Sequence, residues 1–465
     1  MPHLSGVVLA AGKGTRMKSP LPKVLHRVCG VPMADLAGRA MKEAGVEVPI
    51  LVVGHGKDEV IEALGDGYDY VEQAEQKGTG HAMACAMERL PEDGFVFVAP
   101  GDAPLIEATV YCQMLEAAKE RESDCVLAVA LLDDPFGYGR IIRDAGGSVV
   151  RIIEEPDATD EIRAIREVCT SFYLFRIRVL RDLIRRLRND NAKGEYYLTD
   201  MPELIHKAGG RTETITVRDF NLLKGVNDRW QLAQASQTLR ERILKLHAEN
   251  GVSIEDPSST YVEFDVEIGA NTTLHPMTVI EGRSRIGVDC EIGPSSRIVS
   301  TEVGEAVTIM MSHVNRARIG DGCRIGPFAN IRPHTELGKD VKVGNFVELK
   351  NAIVRDGASL SHLTYVGDAT VGARANIGAG TITCNFDGFD KHRTEIGDDA
   401  FVGSNSTLVA PVTIGEGAMT AAGSTITEDV PDGALGMGRS RQVNKENWAE
   451  QWRKRKQQRR ESKAK

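Results

Sequence analysis

The sequence predicts an α/β protein in two parts. A mostly parallel sheet flanked by helices comes first, then a long helix, then a prism of short parallel strands. Three observations carry that prediction. In the first half, apolar runs at 7–9, 50–53, 95–99, 125–131 and 172–175 alternate with helix-like stretches at 34–44 and 109–120. This β-α rhythm puts helices on both faces of a sheet. Between 227 and 249, Trp230, Leu232, Leu239, Ile243, Leu244 and Leu246 stripe an otherwise polar segment, as in a helix with one apolar face. From 262 to 426 an aliphatic residue returns at every sixth position: Val262, Ile268, Leu274, Ile280 in one run, Ile319, Ile325, Ile331, Leu337 in a second, Ile396, Val402, Leu408, Ile414 in a third. A period of six fits neither an amphipathic helix nor an alternating strand; it fits flat faces joined by tight corners, aliphatics inward. Gly follows the aliphatic residue at Gly269, Gly287, Gly293, Gly320, Gly326 and Gly403, and reads as the residue that permits each turn. The parts span 1–226, 227–250 and 251–465.

At 465 residues the chain exceeds one ordinary core. A net charge of -9 argues against nucleic acid as the main partner. The basic run from Arg453 to Lys465 reads as a solvated, disordered tail, with nucleic acid or anionic lipid as the alternative. Eight cysteines without a Cys-x-x-Cys pair favour reduced thiols in the cytosol over a disulfide frame or zinc site. The apolar patch from Val7 to Ala11 stops at Gly12-Lys13-Gly14, too early for a signal or membrane-inserted segment. Within the repeat, frame slips near Ser300 and Lys350 and an excursion over 384–395 are expected where loops leave the prism. After Val430 a loop and a polar tail are expected.

The first chemical constellation follows the first strand: Leu9-Ala10-Ala11-Gly12-Lys13-Gly14-Thr15-Arg16-Met17, then Leu21-Pro22-Lys23. Its glycines let backbone N–H groups approach an anion, and Lys13, Arg16 and Lys23 can balance phosphate charge. It is neither a Walker loop nor a dinucleotide fingerprint. Gly-x-Gly-Thr-Arg-Met followed by Pro-Lys resembles the signature of sugar-phosphate nucleotidyltransferases. That resemblance implies a Rossmann-like domain with Leu9, Ala10, Gly12 and Lys23 on the nucleotide and Arg16 and Lys23 stabilising charge. Gln73-Ala74-Glu75-Gln76-Lys77-Gly78-Thr79-Gly80-His81 resembles the family's uracil loop, so Gln73, Gly78 and Thr79 carry over as nucleotide contacts. His81 reads as a helix-start residue rather than a base, because the phosphate nucleophile needs no deprotonation. Asp102, at the end of a buried strand, could cap a helix. Polyphosphate transfer, however, calls for a hard cation such as Mg²⁺, which takes few protein ligands. Asn227 matches the family's second metal-facing residue, and Gly139 and Glu154 match its sugar contacts. The segment Gly194-Glu195-Tyr196-Tyr197-Leu198-Thr199-Asp200 reads as the start of a helix capped by Thr199 or Asp200. Two positions depart from the family: Cys169 stands where Asn is expected and Ser171 where Gly is usual. A thiol cannot replace an amide's donor and acceptor pair.

The second constellation lies within the repeat: Arg332, Lys350, His362, Tyr365, Asn376, Asn385 and Lys391. Cations with an imidazole suit an anionic sugar and an amine nucleophile, although an isolated His362 would be a solvated corner residue. Ser361-His362-Leu363-Thr364-Tyr365 and Asn376-Ile377-Gly378-Ala379-Gly380-Thr381-Ile382-Thr383-Cys384-Asn385-Phe386-Asp387-Gly388 resemble the acetyltransferase half of the bacterial bifunctional UDP-N-acetylglucosamine diphosphorylase/glucosamine-1-phosphate N-acetyltransferases. The likeness runs from Leu9 to about Arg439. It implies a left-handed parallel β-helix of hexapeptide repeats. His362 would be the general base toward the glucosamine amine, Arg332, Lys350, Tyr365, Asn376 and Lys391 would hold the sugar phosphate, and Asn385, Phe386, Ser404, Ala422 and Arg439 would hold acetyl-CoA. Phe386 replaces a usual Tyr and lacks its hydroxyl.

By this resemblance the chain acetylates glucosamine 1-phosphate with acetyl-CoA, then joins N-acetylglucosamine 1-phosphate to UTP with Mg²⁺ and releases pyrophosphate. It would act as a cytosolic homotrimer feeding cell-envelope precursors. Two other readings compete: a single-activity nucleotidyltransferase whose β-helix serves assembly or regulation, and a non-enzymatic repeat scaffold.

Overall fold

The computed structural model describes residues 3–463. Contacts divide the chain into two compact units, residues 1–247 with 262–265 and residues 248–261 with 266–465.

The first unit is built on β1 (Leu4–Leu9), β2 (Ile50–Val53), β3 (Asp69–Glu72), β4 (Phe95–Pro100), β5 (Cys125–Leu131), β6 (Gly139–Arg143), β7 (Val149–Ile153), β8 (Glu167–Arg176) and β9 (Thr212–Thr216). The main sheet runs β9-β5-β8-β4-β1-β2-β3, and the β6–β7 hairpin hangs from β8. All neighbours on the main path are parallel except β8, which is antiparallel to β4 and β5. The expected sheet is therefore present. The sequence reading missed the β6–β7 hairpin, whose strands are short, carry arginines and are buried over only part of their length instead of forming one apolar run. Helices α1 (Met33–Glu43) and α4 (Ala108–Glu120) cover one face with α2 (Lys57–Leu64) beside them, and α3 (Thr79–Ala86), α5 (Ile177–Leu183) and α6 (Met201–Lys207) cover the other. Neighbours in β1 serve opposite cores: Val8 packs with Ala37 and Met114, Val7 with Met83 and Ile205. Double-sided burial is why these strands read as continuous apolar runs.

Helix α7 (Arg229–Glu249) follows. Leu239, Ile243 and Leu244 are buried as expected, but Trp230 and Leu246 are 73% and 58% exposed. An inward face of a 3.6-residue period cannot hold all six stripe positions.

The second unit is a parallel β-helix. Leu274, Ile292, Ile309, Ile325, Val343, Leu360 and Ile377 pair one above another in a single inward column. Two details differ from the sequence reading. Of Gly269, Gly287, Gly293, Gly320, Gly326 and Gly403, only Gly293 and Gly326 have positive φ. The turn is made two residues later, by Asn271 (φ 59°) after Gly269 and by Asp289 (φ 58°) after Gly287. Gly269 is needed for lack of room, since a Cβ there would lie 2.7 Å from the carbonyl carbon of Gly287. At Ser300 and Lys350, moreover, no loop leaves the prism. Ile292 to Ile309 and Val343 to Leu360 are each spaced one residue short of the 18 between Leu274 and Ile292, so those coils are trimmed at a corner. The excursion between Cys384 and Thr394 is real, closed by an antiparallel bridge between Phe386 and Lys391. Beyond Val430 the strand Leu435–Gly436 completes one more coil against Met419–Thr420. The basic tail is an ordered helix, α8 (Trp448–Lys463), with no buried residue, so a tail expected to be disordered is helical to the last described residue.

One polar clasp ties the first coils together. His275 bonds Glu255 Oε2 through Nδ1 at 3.0 Å and Glu291 Oε2 through Nε2 at 2.7 Å. Burial lowers the imidazole's affinity for its proton, but the two carboxylate bonds outweigh this and raise its pKa. A raised folded pKa stabilises below the unfolded value, and that stability fades as pH rises through the folded value. His275→Ala should therefore lower the melting temperature at pH 5.5 by on the order of 1–3 °C, after solvent screening, and by less at pH 8.5. An equal drop at both pH values would sink this coupling.

Candidate active sites

The first site forms where strands β1 and β4 end side by side. Leu9 pairs with Pro100, and Gly101 N–H donates to the Leu9 carbonyl at 2.9 Å. Ligands of such sheets gather at this edge. The loop after Leu9 runs over a short 3₁₀ turn, Thr15–Met17. Gly14 has φ 59°, and a Cβ there would collide with the Lys23 stem, so this glycine makes room for the cation. Gly12 differs: an added Cβ would meet nothing within 4 Å, which leaves its backbone open to an approaching group.

Residues far apart in sequence converge here. Lys23 Nζ donates to Asp102 Oδ2 and, at 2.9 Å, to Asn227 Oδ1, which also accepts from Arg16 Nη2 at 2.7 Å. Asn227 is fixed in turn, because its N–H donates to Gln231 Oε1 at 2.7 Å in the first turn of α7. Asp102 is not a helix cap; α4 begins at Ala108 behind Glu107. Asp102 and Asn227 thus turn two hard oxygens toward one point, now marked by the lysine ammonium. That donor set fits a divalent cation that keeps several waters. No cluster of three or more His, Cys, Asp or Glu suited to a metal occurs among the described residues.

The expected nucleotide loop closes against the segment 194–200. Gly80 N–H donates to Tyr196 O and Tyr196 N–H to Lys77 O, both at 2.8 Å, while Thr79 Oγ1 accepts from Leu198 N–H at 3.0 Å. Buried Gln73 donates from Nε2 to Gly78 O and to His81 Nδ1, each at 3.0 Å. His81 lies in the first turn of α3, and its Nδ1 is occupied as an acceptor, so the ring supports Gln73. Segment 194–200 does more than cap a helix. Neither Thr199 nor Asp200 caps α6 with its side chain. Thr199 Oγ1 instead donates to Glu154 Oε1 at 2.9 Å, which joins the nucleotide loop to the expected sugar carboxylate. Burial raises the Glu154 pKa despite that bond, and it pushes Asp200 up to about 6. A carboxylate surrounded by carboxylates resists ionisation. Gly139 lies close by, since a Cβ added there would come 3.6 Å from Glu154 Oε2. Cys169 pairs directly with Gly139, but its thiol faces Tyr173 Oη at 3.5 Å. Ser171 sits at φ 63° in the bulge between Cys169 and Phe172, a backbone that favours glycine.

The second site lies on the β-helix. Arg332 N–H donates to Leu349 O, and Lys350 pairs with Gly367, which places these residues on successive coils of one face. Tyr365 leans over Gly367, where a Cβ would run into its hydroxyl. Lys391 comes within hydrogen-bonding reach of Lys350. This lowers the Lys350 pKa, helped by partial desolvation, the Lys391 charge and Arg332. Crowded cations of this kind call for an anion. Asn385 is buried and donates from Nδ2 to Asp368 Oδ2, so its side chain braces the corner beneath Lys350. Phe386 is 60% exposed on the excursion. Asn376 lies on the other sheet, between Ser359 and Phe401.

His362 occupies the last position before the corner residue Leu363 (φ 48°). Gly380 N–H donates to His362 O, Asn405 N–H to Ala379 O, and Gly423 N–H to Ser404 O. His362, Ala379, Ser404 and Ala422 therefore stack as equivalent positions of successive coils, with Arg439 Cδ beside Gly423. At about 4.8 Å per coil, Ser404 lies roughly 10 Å and Ala422 roughly 14 Å along the edge from His362, a track for an extended ligand.

Comparison with known proteins finds relatives of both parts of the chain. Residues 6–252 match the MobA-like NTP transferase domain family, and residues 316–351 and 393–428 match bacterial transferase hexapeptide repeats. The chain is 48% identical over 451 residues to the bifunctional protein GlmU of Caldanaerobacter subterraneus subsp. tengcongensis, covering 97% of this chain and 98% of that protein. It is 46% identical over 448 residues to GlmU of Geobacillus thermodenitrificans, with 96% and 98% covered. To GlmU of Acetivibrio thermocellus it is 45% identical over 449 residues, with 96% and 97% covered.

Gly12 offers a clean test of the nucleotide loop. Gly12→Ala should leave the melting temperature unchanged, because the protein has room for the methyl group, yet raise the KM for UTP about tenfold by obstructing the polyphosphate. An unchanged KM would show that no phosphate passes over this backbone.

Proposed function

The chain belongs to the bifunctional GlmU family, and on that premise we propose how its residues divide the work of a UDP-N-acetylglucosamine diphosphorylase and glucosamine-1-phosphate N-acetyltransferase. The observation that carries the reading is that one chain related end to end to such enzymes gathers Lys23, Asp102 and Asn227 at a sheet edge and, on its β-helix, carries His362 before a corner and Arg332 and Lys350 on successive coils of one face.

In the second unit, His362 takes a proton from the glucosamine amine as the nitrogen attacks the acetyl thioester carbonyl and the CoA thiolate leaves. Arg332, Lys350 and Lys391 hold the sugar phosphate, with Tyr365 and Asn376 orienting the ring. The column of Ser404 and Ala422, with Arg439 beside it, carries the CoA arm. Phe386 adds an apolar contact there, and Asn385 supports the corner. In the first unit, N-acetylglucosamine 1-phosphate attacks the α-phosphorus of UTP in line and pyrophosphate departs. Gln73, Gly78 and Thr79 hold the base; Leu9, Ala10 and Gly12 line the phosphate path; Gly139 and Glu154 hold the sugar. Arg16 and Lys23 balance the charge that develops on the phosphates. Mg²⁺, held by Asp102 and Asn227, would supply the hard positive charge this transfer requires.

A homotrimer is supported by one corner of the coil. Phe328 (φ 62°), Phe346 (φ 57°) and Leu363 (φ 48°) occupy its left-handed turn positions, are more than half exposed, and the two phenyl rings stack at 5.2 Å. Large apolar residues in strained, solvated turns gain from burial against copies of the chain around a threefold axis. A cytosolic setting is supported by eight unpaired cysteines. No helix of the described residues is long and apolar enough to cross a membrane.

Incubation with glucosamine 1-phosphate, acetyl-CoA, UTP and Mg²⁺, followed by product identification, should yield UDP-N-acetylglucosamine. His362→Ala should lose acetyl transfer about 100-fold or more while keeping uridylyl transfer. Asp102→Ala should do the reverse. Wild-type acetylation by His362→Ala would remove its assignment as base, and loss of both activities in either variant would count against independent sites.

A further inference from the structure

Gly139 and Glu154, the proposed sugar contacts, are each followed directly by one member of an ion pair between a buried arginine and a partly buried glutamate. Arg140 is 1% exposed, and its Nη2 lies 2.8 Å from Glu155 Oε2. The same guanidinium donates through Nη1 to Tyr138 O and through Nη2 to Arg163 O at 3.3 Å. Glu155 also accepts from Gly137 N–H at 3.2 Å and sits 3.4 Å from Arg163 Nε. One carboxylate therefore ties the turn before Gly139 to the turn after Glu154. Burial acts to raise the Glu155 pKa, but the bonds from Arg140 and Gly137 and the charges of Arg140 and Arg163 hold it below the usual range. Its neighbour Glu154 is pushed the other way by burial.

A buried guanidinium without a partner would be strongly destabilising, so this pair has a defined geometry to enforce. Cys169, which pairs with Gly139 across the strands, turns its thiol to Tyr173 and adds no amide to the site. Resting on the sugar contacts proposed above, we propose that the Arg140–Glu155 pair is the positioning element that sets recognition of N-acetylglucosamine 1-phosphate, by holding the Gly139 backbone and the Glu154 carboxyl at a fixed spacing. Neither residue touches the reacting atoms; each acts through the residue before it. A loosened spacing weakens sugar binding and leaves the nucleotide loop alone.

The test measures KM separately for N-acetylglucosamine 1-phosphate and for UTP in the full-length protein. Arg140→Met and Glu155→Gln should each raise the sugar-phosphate KM about tenfold and leave the UTP KM and acetyl transfer within twofold. The double variant should be no worse than the worse single, because the pair acts as a unit. Arg140→Lys keeps the charge but loses the fork and should recover part of the loss. An unchanged sugar-phosphate KM in both single variants overturns the inference, as does a parallel rise in both KM values. Should Arg140→Met abolish UTP binding through misfolding, Arg140→Lys carries the same comparison, with a threefold rise in sugar-phosphate KM alone as the supporting result and equal shifts as the opposing one. A wild-type protein that fails to use N-acetylglucosamine 1-phosphate overturns the sugar reading and the inference with it, and is told apart because no variant is needed to see it.

Discussion

Coil-to-coil hydrogen bonding at the spacing of adjacent β-strands is the constraint on which the second half of the protein depends. Each coil lies about 4.8 Å from the next, so close that a Cβ at Gly269 or Gly397 would strike the backbone above it. That closeness fixes the register of every side chain along the prism. Arg332 and Lys350 follow one another on one face because Ile331 stacks on Leu349. His362, Ala379, Ser404 and Ala422 share an edge for the same reason. A trimmed coil at Lys350 or the excursion after Cys384 is tolerated because the inward column stays continuous.

The first unit obeys a different rule with a similar result. Parallel strands buried on both faces end at one edge, and the loops there must carry the polar chemistry. Lys23, Asp102 and Asn227, which lie far apart in the chain, meet at that edge through strands β1 and β4 and the start of α7. Both units thus gather charge where regular structure ends. Crowding is compensated internally at the first site by Asp102. At the second, Arg332 is paired with Glu348 at 2.8 Å, while Lys391 within hydrogen-bonding reach of Lys350 lowers the Lys350 pKa.

Supporting residues proved as important to the geometry as the contacts they serve. Asn385 braces Asp368, Gln231 fixes Asn227, Thr199 orients Glu154, and Arg140 pairs with Glu155 beside the β6–β7 hairpin. These roles are invisible in local sequence because each depends on a partner brought near by folding. Segment 194–200 illustrates the difficulty. Its pattern is that of a helix start, and a helix does follow, yet the side chain that looked like a cap is spent on a carboxylate 45 residues away.

The sequence by itself determined the class of fold and the family with its two transfer activities. A six-residue period and a β-α rhythm are repeated many times over, so single exceptions cannot hide them, and the glycine loop and the His362 segment are contiguous motifs. The tertiary structure alone decided where the turns fall, that repeat glycines such as Gly269 and Gly287 serve close packing instead of turning, that the described part of the basic tail is helical, and which residues brace the candidate site residues. Those outcomes depend on contacts between distant residues and on the volume left by a neighbouring strand, and neither quantity is written in the local order of the chain.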